Sequence, residues 1–218
     1  PGERVAMVSH NSARLLTALF GVSGSGRILV PINFRLVAEE VKYIVAHSGA
    51  RVLLIDPELE DAMADVECEM KWTIGADSDA VLMRFDTEPA AWDADEDATA
   101  TINYTSGTTA HPKAVLQSHW SFAHTTAAYG QGVLGITEDD VTISVPKLFF
   151  GYAMGTNLFF PFSVGARSVF YPDKPTPERL FELIRAHRPT VLVNVPTMVN
   201  HMVSHPAAGE ADLSSLRL

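Results

Sequence analysis

The strongest constraint on the fold is an alternation of strand-like and helix-like segments at the start of the chain. Residues 4–8, 28–32 and 51–56 are short apolar runs typical of buried strands. Between them, residues 13–20 and a segment from about residue 38 have apolar side chains at helical spacing, and Gly49 ends the second helix. Strand, helix, strand, helix and strand at these intervals predict βαβ units and therefore a parallel sheet.

The rest of the chain continues the mixed pattern. Strands are predicted near residues 72–74, at 100–104, 141–145 and 168–171, and over a buried run at 189–197 that ends in a proline turn. Helices are predicted over residues 120–129, after Ser118 as a cap, and from Pro177, with Thr176 as the capping residue. The predicted fold class is therefore α/β, with layered parallel sheets flanked by helices.

Composition excludes several classes of protein. With 47% hydrophobic and 19% charged residues, the 218-residue chain is globular, and no apolar run reaches the roughly 18 residues of a membrane span. A net charge of −10 argues against nucleic-acid and anionic membrane partners. Cys68 is the single cysteine, so an intrachain disulfide is excluded and a reducing, cytoplasmic setting is predicted.

The first stretch that indicates chemistry is the loop at residues 104–113, Tyr-Thr-Ser-Gly-Thr-Thr-Ala-His-Pro-Lys. Gly107 allows backbone N–H groups to turn toward an anion, and small hydroxyl side chains donate hydrogen bonds without filling the space. Lys113 adds a positive charge. The spacing differs from that of a P-loop. An ordinary polar surface loop is the alternative for a generic stretch of this composition, but the ordered run followed by Pro-Lys favours a polyphosphate site.

This loop resembles the phosphate-binding signature of the AMP-forming acyl-CoA synthetases, a superfamily that includes luciferases and peptide-synthetase adenylation domains. Segments 2–6, 31–33 and 47–50 follow the order seen in that superfamily. Ala110 and Ala114 stand where the family pattern has glycine, and a left-handed backbone at either position would disfavour alanine by roughly 1 kcal/mol. The residues assigned by this resemblance to the β- and γ-phosphates of ATP are Thr105, Ser106, Gly107, Thr108, Thr109 and Lys113.

A second informative stretch is aromatic and lies near a predicted strand end, at residues 147–155. Composition alone favours a core role for its aromatic residues. However, the stretch resembles a segment of benzoate-type CoA ligases that lines the acyl pocket, and Phe150 stands where many relatives have histidine. The resemblance implies an apolar pocket for an aryl or medium-chain acid. The predicted substrate contacts are Phe149, Phe150, Gly151 and Tyr152, with Asn194 and Val195 at a later strand end.

The resemblance implies that the parent protein is an AMP-forming acid–CoA ligase that uses ATP, Mg²⁺ and CoA. It also implies that residues 1–130 form a first subdomain with the phosphate loop, and residues 131–218 an incomplete second subdomain, of a large N-terminal domain. Later family motifs are missing, so the chain is expected to be a portion of a ligase that is inactive alone. No catalytic residue is assigned, because the later motifs that carry the family's catalytic groups are missing. No metal ligand is assigned, since His201 and His205 lack a third ligand at metal spacing.

Several alternatives stay open at the level of the sequence. One is an adenylation enzyme that loads a carrier protein instead of CoA. Another, from a different class, is a catalytically silent nucleotide-binding or interaction module, which the alanines at positions 110 and 114 favour. The oligomeric state is also open, and a homodimer is compatible with the sequence.

Overall fold

The structure is a computed structural model and describes residues 1–75, 79, 95–105 and 112–218. The chain divides into two compact units, Pro1–Ser121 and Phe122–Leu218. The sequence placed the division near residue 130. The roles predicted for the two parts, phosphate binding and acyl binding, stay predictions.

The first unit is built on a sheet that has six strands within the described ranges. They are β1 (Arg4–Val8), β2 (Ile28–Ile32), β3 (Val52–Ile55), β4 (Met70–Thr73), β5 (Thr99–Thr105) and β6 (Lys113–Ser118). The spatial order is β4-β3-β1-β2-β5-β6. The β6 strand pairs antiparallel with β5, whereas the other neighbours are parallel. The predicted parallel sheet is confirmed, while the antiparallel β6 was not predicted.

Local sequence signals explain the first two helices, α1 (Ala13–Gly24) and α2 (Ala38–Ser48). The Ser12 side chain accepts a hydrogen bond from the Leu15 N–H at 3.2 Å and so caps α1, as predicted. Gly49 ends α2 with φ of 67°, and a Cβ there would lie 2.7 Å from Nη2 of Arg4. Two short 3₁₀ turns follow β3, at Pro57–Leu59 and Asp61–Met63.

The core of the first unit lies between α2 and one face of the sheet. Every second residue of a strand points to the same face, so alternate residues of β1, β2 and β3 enter this core. The main members of this core are Ala6, Val8, Val30, Ile32, Val41, Ile44, Val45, Leu53, Ile55, Met63 and Ile102.

The second unit contains a parallel sheet of three described strands in the order β8-β7-β9, namely β7 (Val141–Ser144), β8 (Arg167–Val169) and β9 (Val191–Val193). Helix α3 (His119–Thr125) begins in the last residues of the first unit and continues in the second as a π-helical segment, Thr126–Gln131. A second continuous helical run consists of α4 (Gly151–Met154), the π-helical segment Gly155–Phe159 and α5 (Phe160–Ser163). Helices α6 (Pro177–His187) and α7 (Pro196–Val203) and a 3₁₀ turn at Pro206–Glu210 complete the unit.

Capping residues again begin the helices where the sequence predicted. The Thr176 hydroxyl accepts a hydrogen bond from the Arg179 N–H at 3.3 Å, with Pro177 in the first turn of α6. Ser118 accepts one from the Ser121 N–H at 3.1 Å at the start of α3. Across the described ranges, no helix combines the length and apolar character that a membrane crossing requires.

Candidate functional site

The predicted phosphate loop connects β5 to β6. Thr105, the last residue of β5, pairs directly with Lys113, the first residue of β6. Both residues are exposed, so the Lys113 ammonium group is accessible to an anion in solution. The other four predicted phosphate contacts, Ser106, Gly107, Thr108 and Thr109, lie outside the described residues.

Alanine replaces the glycine of the family pattern at positions 110 and 114, and the structure shows the backbone conformation at position 114. Ala114 lies within β6 and pairs with Tyr104. Among the described non-glycine residues, only Arg188 has positive φ, so Ala114 has an ordinary strand backbone. Alanine therefore causes no left-handed strain at position 114. Ala110 lies outside the described residues.

Helix α2 supports both sides of the β5–β6 connection. The Tyr104 hydroxyl and Nδ1 of His47 are 2.7 Å apart and share a hydrogen bond. The Tyr43 ring stacks on the His47 ring with centroids 5.3 Å apart. The Tyr43 hydroxyl donates to the Pro112 carbonyl at 3.5 Å. Burial raises the pKa of Tyr104, and the neighbouring Tyr43 adds to that shift. The phenol therefore stays neutral and able to donate at physiological pH.

In the second unit, the predicted acyl-pocket residues follow two adjacent strands. Ser144 pairs with Val193, so the segments after β7 and β9 leave the sheet side by side at its carboxyl edge. Residues 149–152 follow β7, and Asn194 and Val195 follow β9 directly. Open α/β sheets bind ligands at this edge. Two segments about 45 residues apart in the sequence therefore start from neighbouring strand ends.

These residues differ in how far they are available to a ligand. Phe150 and Tyr152 are 47% and 55% exposed, whereas Phe149 is 6% exposed and packs against Phe150 with ring centroids 4.4 Å apart. Phe149 supports the turn from inside. The Asn194 side chain accepts a hydrogen bond from the Val195 N–H at 2.8 Å and approaches the Met202 sulfur at 3.4 Å, so it shapes the strand end.

A residue that the sequence did not assign lies beneath this turn. Lys147 is only 1% exposed, and its Nζ donates to the Tyr171 carbonyl at 2.8 Å. The same Nζ lies 3.4 Å from the centroid of the Tyr171 ring. A lysine inside an apolar run is the signal that could have identified it, because an ammonium group is almost never fully buried without a partner.

The helical run after the turn contains the π-helical segment Gly155–Phe159. π-Helical turns often mark functional sites because they displace side chains from the regular helical positions. The Thr156 hydroxyl donates to the Tyr152 carbonyl at 2.7 Å. The Thr142 hydroxyl on β7 donates to the Asn157 side chain at 2.6 Å. The run is therefore fixed to the sheet directly behind the exposed aromatic residues.

Comparison with known proteins identifies the family. The model of the AMP-binding enzyme family matches residues 1–218, the full length of the sequence. The chain belongs to this family. A 4-hydroxybenzoate–CoA/benzoate–CoA ligase from Rhodopseudomonas palustris is 34% identical over 216 residues, which cover 93% of this chain and 40% of that protein.

Solved structures agree with this assignment. The crystal structure of the anthranilate CoA ligase AuaEII in complex with anthranoyl-AMP matches with a TM-score of 0.90 and 32% identity, covering 99% of this chain and 43% of that one. The inhibitor-bound N-terminal domain of FACL13 from Mycobacterium tuberculosis matches with a TM-score of 0.87 and 28% identity, covering 99% of this chain and 55% of that one.

The chain spans about two fifths of the length of the curated relatives it matches. The matches confirm the predicted α/β fold, its place in the N-terminal domain of an adenylate-forming enzyme, and the resemblance to benzoate-type CoA ligases. Within the described ranges, no group of three or more His, Cys, Asp or Glu side chains is arranged to hold a metal ion.

Proposed function

We propose that this chain is part of an AMP-forming acid–CoA ligase that activates an aryl or medium-chain carboxylic acid. In the first step, the carboxylate attacks the α-phosphate of ATP and displaces pyrophosphate, which gives the acyl-adenylate. In the second step, the CoA thiol attacks the acyl carbon and AMP leaves. A carboxylate is already ionised at neutral pH, so the first step needs no general base.

One observation supports the nucleotide part most directly. Lys113 is exposed and pairs with Thr105, the first residue of the Thr-Ser-Gly-Thr-Thr sequence. The chain that carries this sequence belongs to the AMP-binding family. Negative charge builds on phosphate oxygens during adenylation, and a positioned ammonium group with hydroxyl donors stabilises it. We assign Thr105 and Lys113 to the β- and γ-phosphates, together with Ser106, Gly107, Thr108 and Thr109 on sequence alone.

The class of acid is inferred from the second unit. Phe150, Gly151 and Tyr152 present exposed aromatic and glycine surface at the carboxyl edge of the sheet, where an apolar acid would gain from burial and ring stacking. Two of the matched proteins are named for benzoate and anthranilate, which are aryl acids. Both observations favour an aryl acid over a fatty acid.

The further participants are also proposals. Mg²⁺ would enter with ATP, and the described residues do not form a separate cation site for it. CoA is the proposed acceptor, and delivery to a carrier protein is the alternative acceptor. The cytoplasmic setting rests on the single Cys68, and the homodimer is compatible with the sequence without being favoured by it.

The decisive experiment is ATP–pyrophosphate exchange on the longest natural polypeptide that includes these residues, with a panel of aryl and medium-chain acids. We expect exchange with at least one aryl acid. Lys113→Ala should raise KM for ATP by about tenfold or more, the equivalent of one hydrogen bond from a charged donor. Lys174→Met, an exposed lysine of the second unit, is the matched control.

The same assay separates the alternatives. Exchange with no acid, together with intact ATP binding, would support a silent nucleotide-binding module instead. Acyl transfer to a carrier protein but not to CoA would show that the acceptor is a carrier protein, and the proposed adenylation step would still hold.

A further inference from the structure

The charge of Lys147 is buried where a charge is unfavourable. The side chain is 1% exposed, and moving an ammonium group out of water costs several kcal/mol before any partner is counted. Its Nζ meets the Tyr171 carbonyl at 2.8 Å and the Tyr171 ring at 3.4 Å from the centroid. A hydrophobic side chain of similar size often gives equal or greater stability at such a place. Stability alone therefore does not account for a lysine here.

The contact joins two neighbouring strand ends. Lys147 follows β7, and Tyr171 follows β8, its parallel neighbour in the sheet. The hydrogen bond and the cation–π contact both specify where the ammonium group lies, whereas an apolar side chain would allow the strand ends to shift. Lys147 therefore fixes the backbone after β7 relative to the backbone after β8.

The fixed backbone is that of the aromatic turn, residues 147–152. The Phe150 N–H donates to the Lys147 carbonyl at 3.0 Å, which closes the turn, and the Met154 N–H donates to the Phe150 carbonyl at 2.9 Å, which starts the helix. Phe149 is buried beneath the turn, while Phe150 and Tyr152 remain about half exposed. The position of the two exposed rings thus depends on the point where Lys147 is anchored.

We infer that Lys147 is a positioning residue that sets the acid specificity of the ligase, by holding the aromatic turn against the end of β8. This inference rests on the proposed function, since it requires Phe150 and Tyr152 to contact the acid. A planar aryl acid cannot adapt to a displaced ring, whereas a flexible alkyl chain can change its rotamers. Loss of the anchor should therefore weaken the use of aryl acids more than that of alkyl acids, with little effect on ATP.

Two variants separate the anchor from simple packing. Lys147→Met keeps the length and apolar stem and removes the donor, and Lys147→Gln keeps an N–H donor without the charge. Exchange kinetics with benzoate and hexanoate, on the longest natural polypeptide that includes these residues, give KM for each acid, KM for ATP and kcat. Thermal unfolding of each variant is measured in parallel, and Lys174→Met again serves as the control.

The expected result is a change in acid preference. Lys147→Met should raise KM for benzoate by about tenfold, because the rings that contact the acid are displaced, and change KM for ATP by less than about twofold. The ratio of benzoate to hexanoate use should fall, and Lys147→Gln should restore part of it. If Lys147→Met does not fold, the Lys147→Gln variant with the same two acids still provides the test.

Other results would overturn the inference. If the ratio of benzoate to hexanoate use were unchanged in Lys147→Met, Lys147 would have only a structural role. The same conclusion would follow if kcat/KM fell equally for both acids and for ATP, in proportion to the loss in Tm. In both cases the wild-type exchange activity would leave the proposed function in place. An absence of exchange by the wild type with every acid would instead refute the proposed function, and this inference with it.

Discussion

Replacement of Asp140 by asparagine should destabilise the second unit by a predictable amount. The Asp140 side chain precedes β7 and is 4% exposed. Its Oδ1 accepts hydrogen bonds from the Thr190 hydroxyl at 2.5 Å and from Nε of Arg217 at 2.9 Å. Its Oδ2 accepts from the Thr137 N–H at 2.9 Å and from Nη2 of Arg217 at 2.7 Å. The carboxylate thus joins three separate segments of the unit.

The magnitude follows from this geometry. In Asp140→Asn, one oxygen becomes an NH₂ group, which faces at least two donors in either orientation of the amide, so at least two of the hydrogen bonds to the carboxylate are lost. A buried hydrogen bond to a charged group contributes about 1.5–3 kcal/mol, and a neutral one about 1 kcal/mol. Arg217 is 42% exposed and can be solvated after the loss, which lowers the total. We therefore expect a loss of about 2–3 kcal/mol.

Native-state hydrogen exchange measures this loss unit by unit. Amides of β7 and β9 should exchange about 30- to 150-fold faster in Asp140→Asn, while amides of β1 to β3 serve as an internal reference. Asp139→Asn is the matched control, because Asp139 is the exposed neighbour. Exchange rates in β7 and β9 that are unchanged, or equally raised by Asp139→Asn, would refute the reasoning.

The pH dependence provides an independent test. Hydrogen bonds from Arg217, Thr190 and Thr137 hold the pKa of Asp140 well below its ordinary value, although burial acts in the opposite direction. Because the pKa of the folded state is below that of the unfolded state, the stabilisation is complete above about pH 4 and is lost as the pH falls through the folded-state pKa. The stability difference between wild type and Asp140→Asn should therefore be constant near neutral pH and shrink below about pH 4.

Four further substitutions test other contacts, each by urea unfolding. His47→Phe and Tyr104→Phe each remove the 2.7 Å hydrogen bond and should each cost about 1 kcal/mol, and the double variant should cost little more than either single one. Ala114→Gly should cost about 0.5–1 kcal/mol, because Ala114 lies in a strand, and calorimetry should show no gain in ATP affinity. Gly130→Ala should cost about 1–3 kcal/mol, because the new Cβ would lie 2.6 Å from Cγ of Phe160.

Each of these predictions has a contrary result. Fully additive costs at positions 47 and 104 would show that the two side chains do not act as a pair. Tighter ATP binding by Ala114→Gly would show that a glycine backbone is needed at that position after all. An unchanged stability of Gly130→Ala would show that Phe160 can move aside without loss of packing.

The elements that were predicted correctly depend on signals within a few residues of each other. The alternation of apolar runs predicted β1, α1, β2, α2 and β3, and the capping hydroxyls of Ser12 and Thr176 marked helix starts that the structure confirms. Such signals are local, because helix periodicity and capping involve residues three or four positions apart. The β6 strand was missed because Val115 and Leu116 are both exposed and lack the alternation of a half-buried strand.

The sequence by itself determined the family, the parallel α/β organisation and the positions of the two informative stretches, since motifs and periodicity are written along the chain. Tertiary structure alone decided which distant residues meet. The pairing of β7 with β8 and β9 brings Tyr171 to Lys147, and the segment after β7 beside Asn194. The burial of the Lys147 charge likewise depends on neighbours that are remote in sequence, because desolvation is a property of the packed environment and not of the residue.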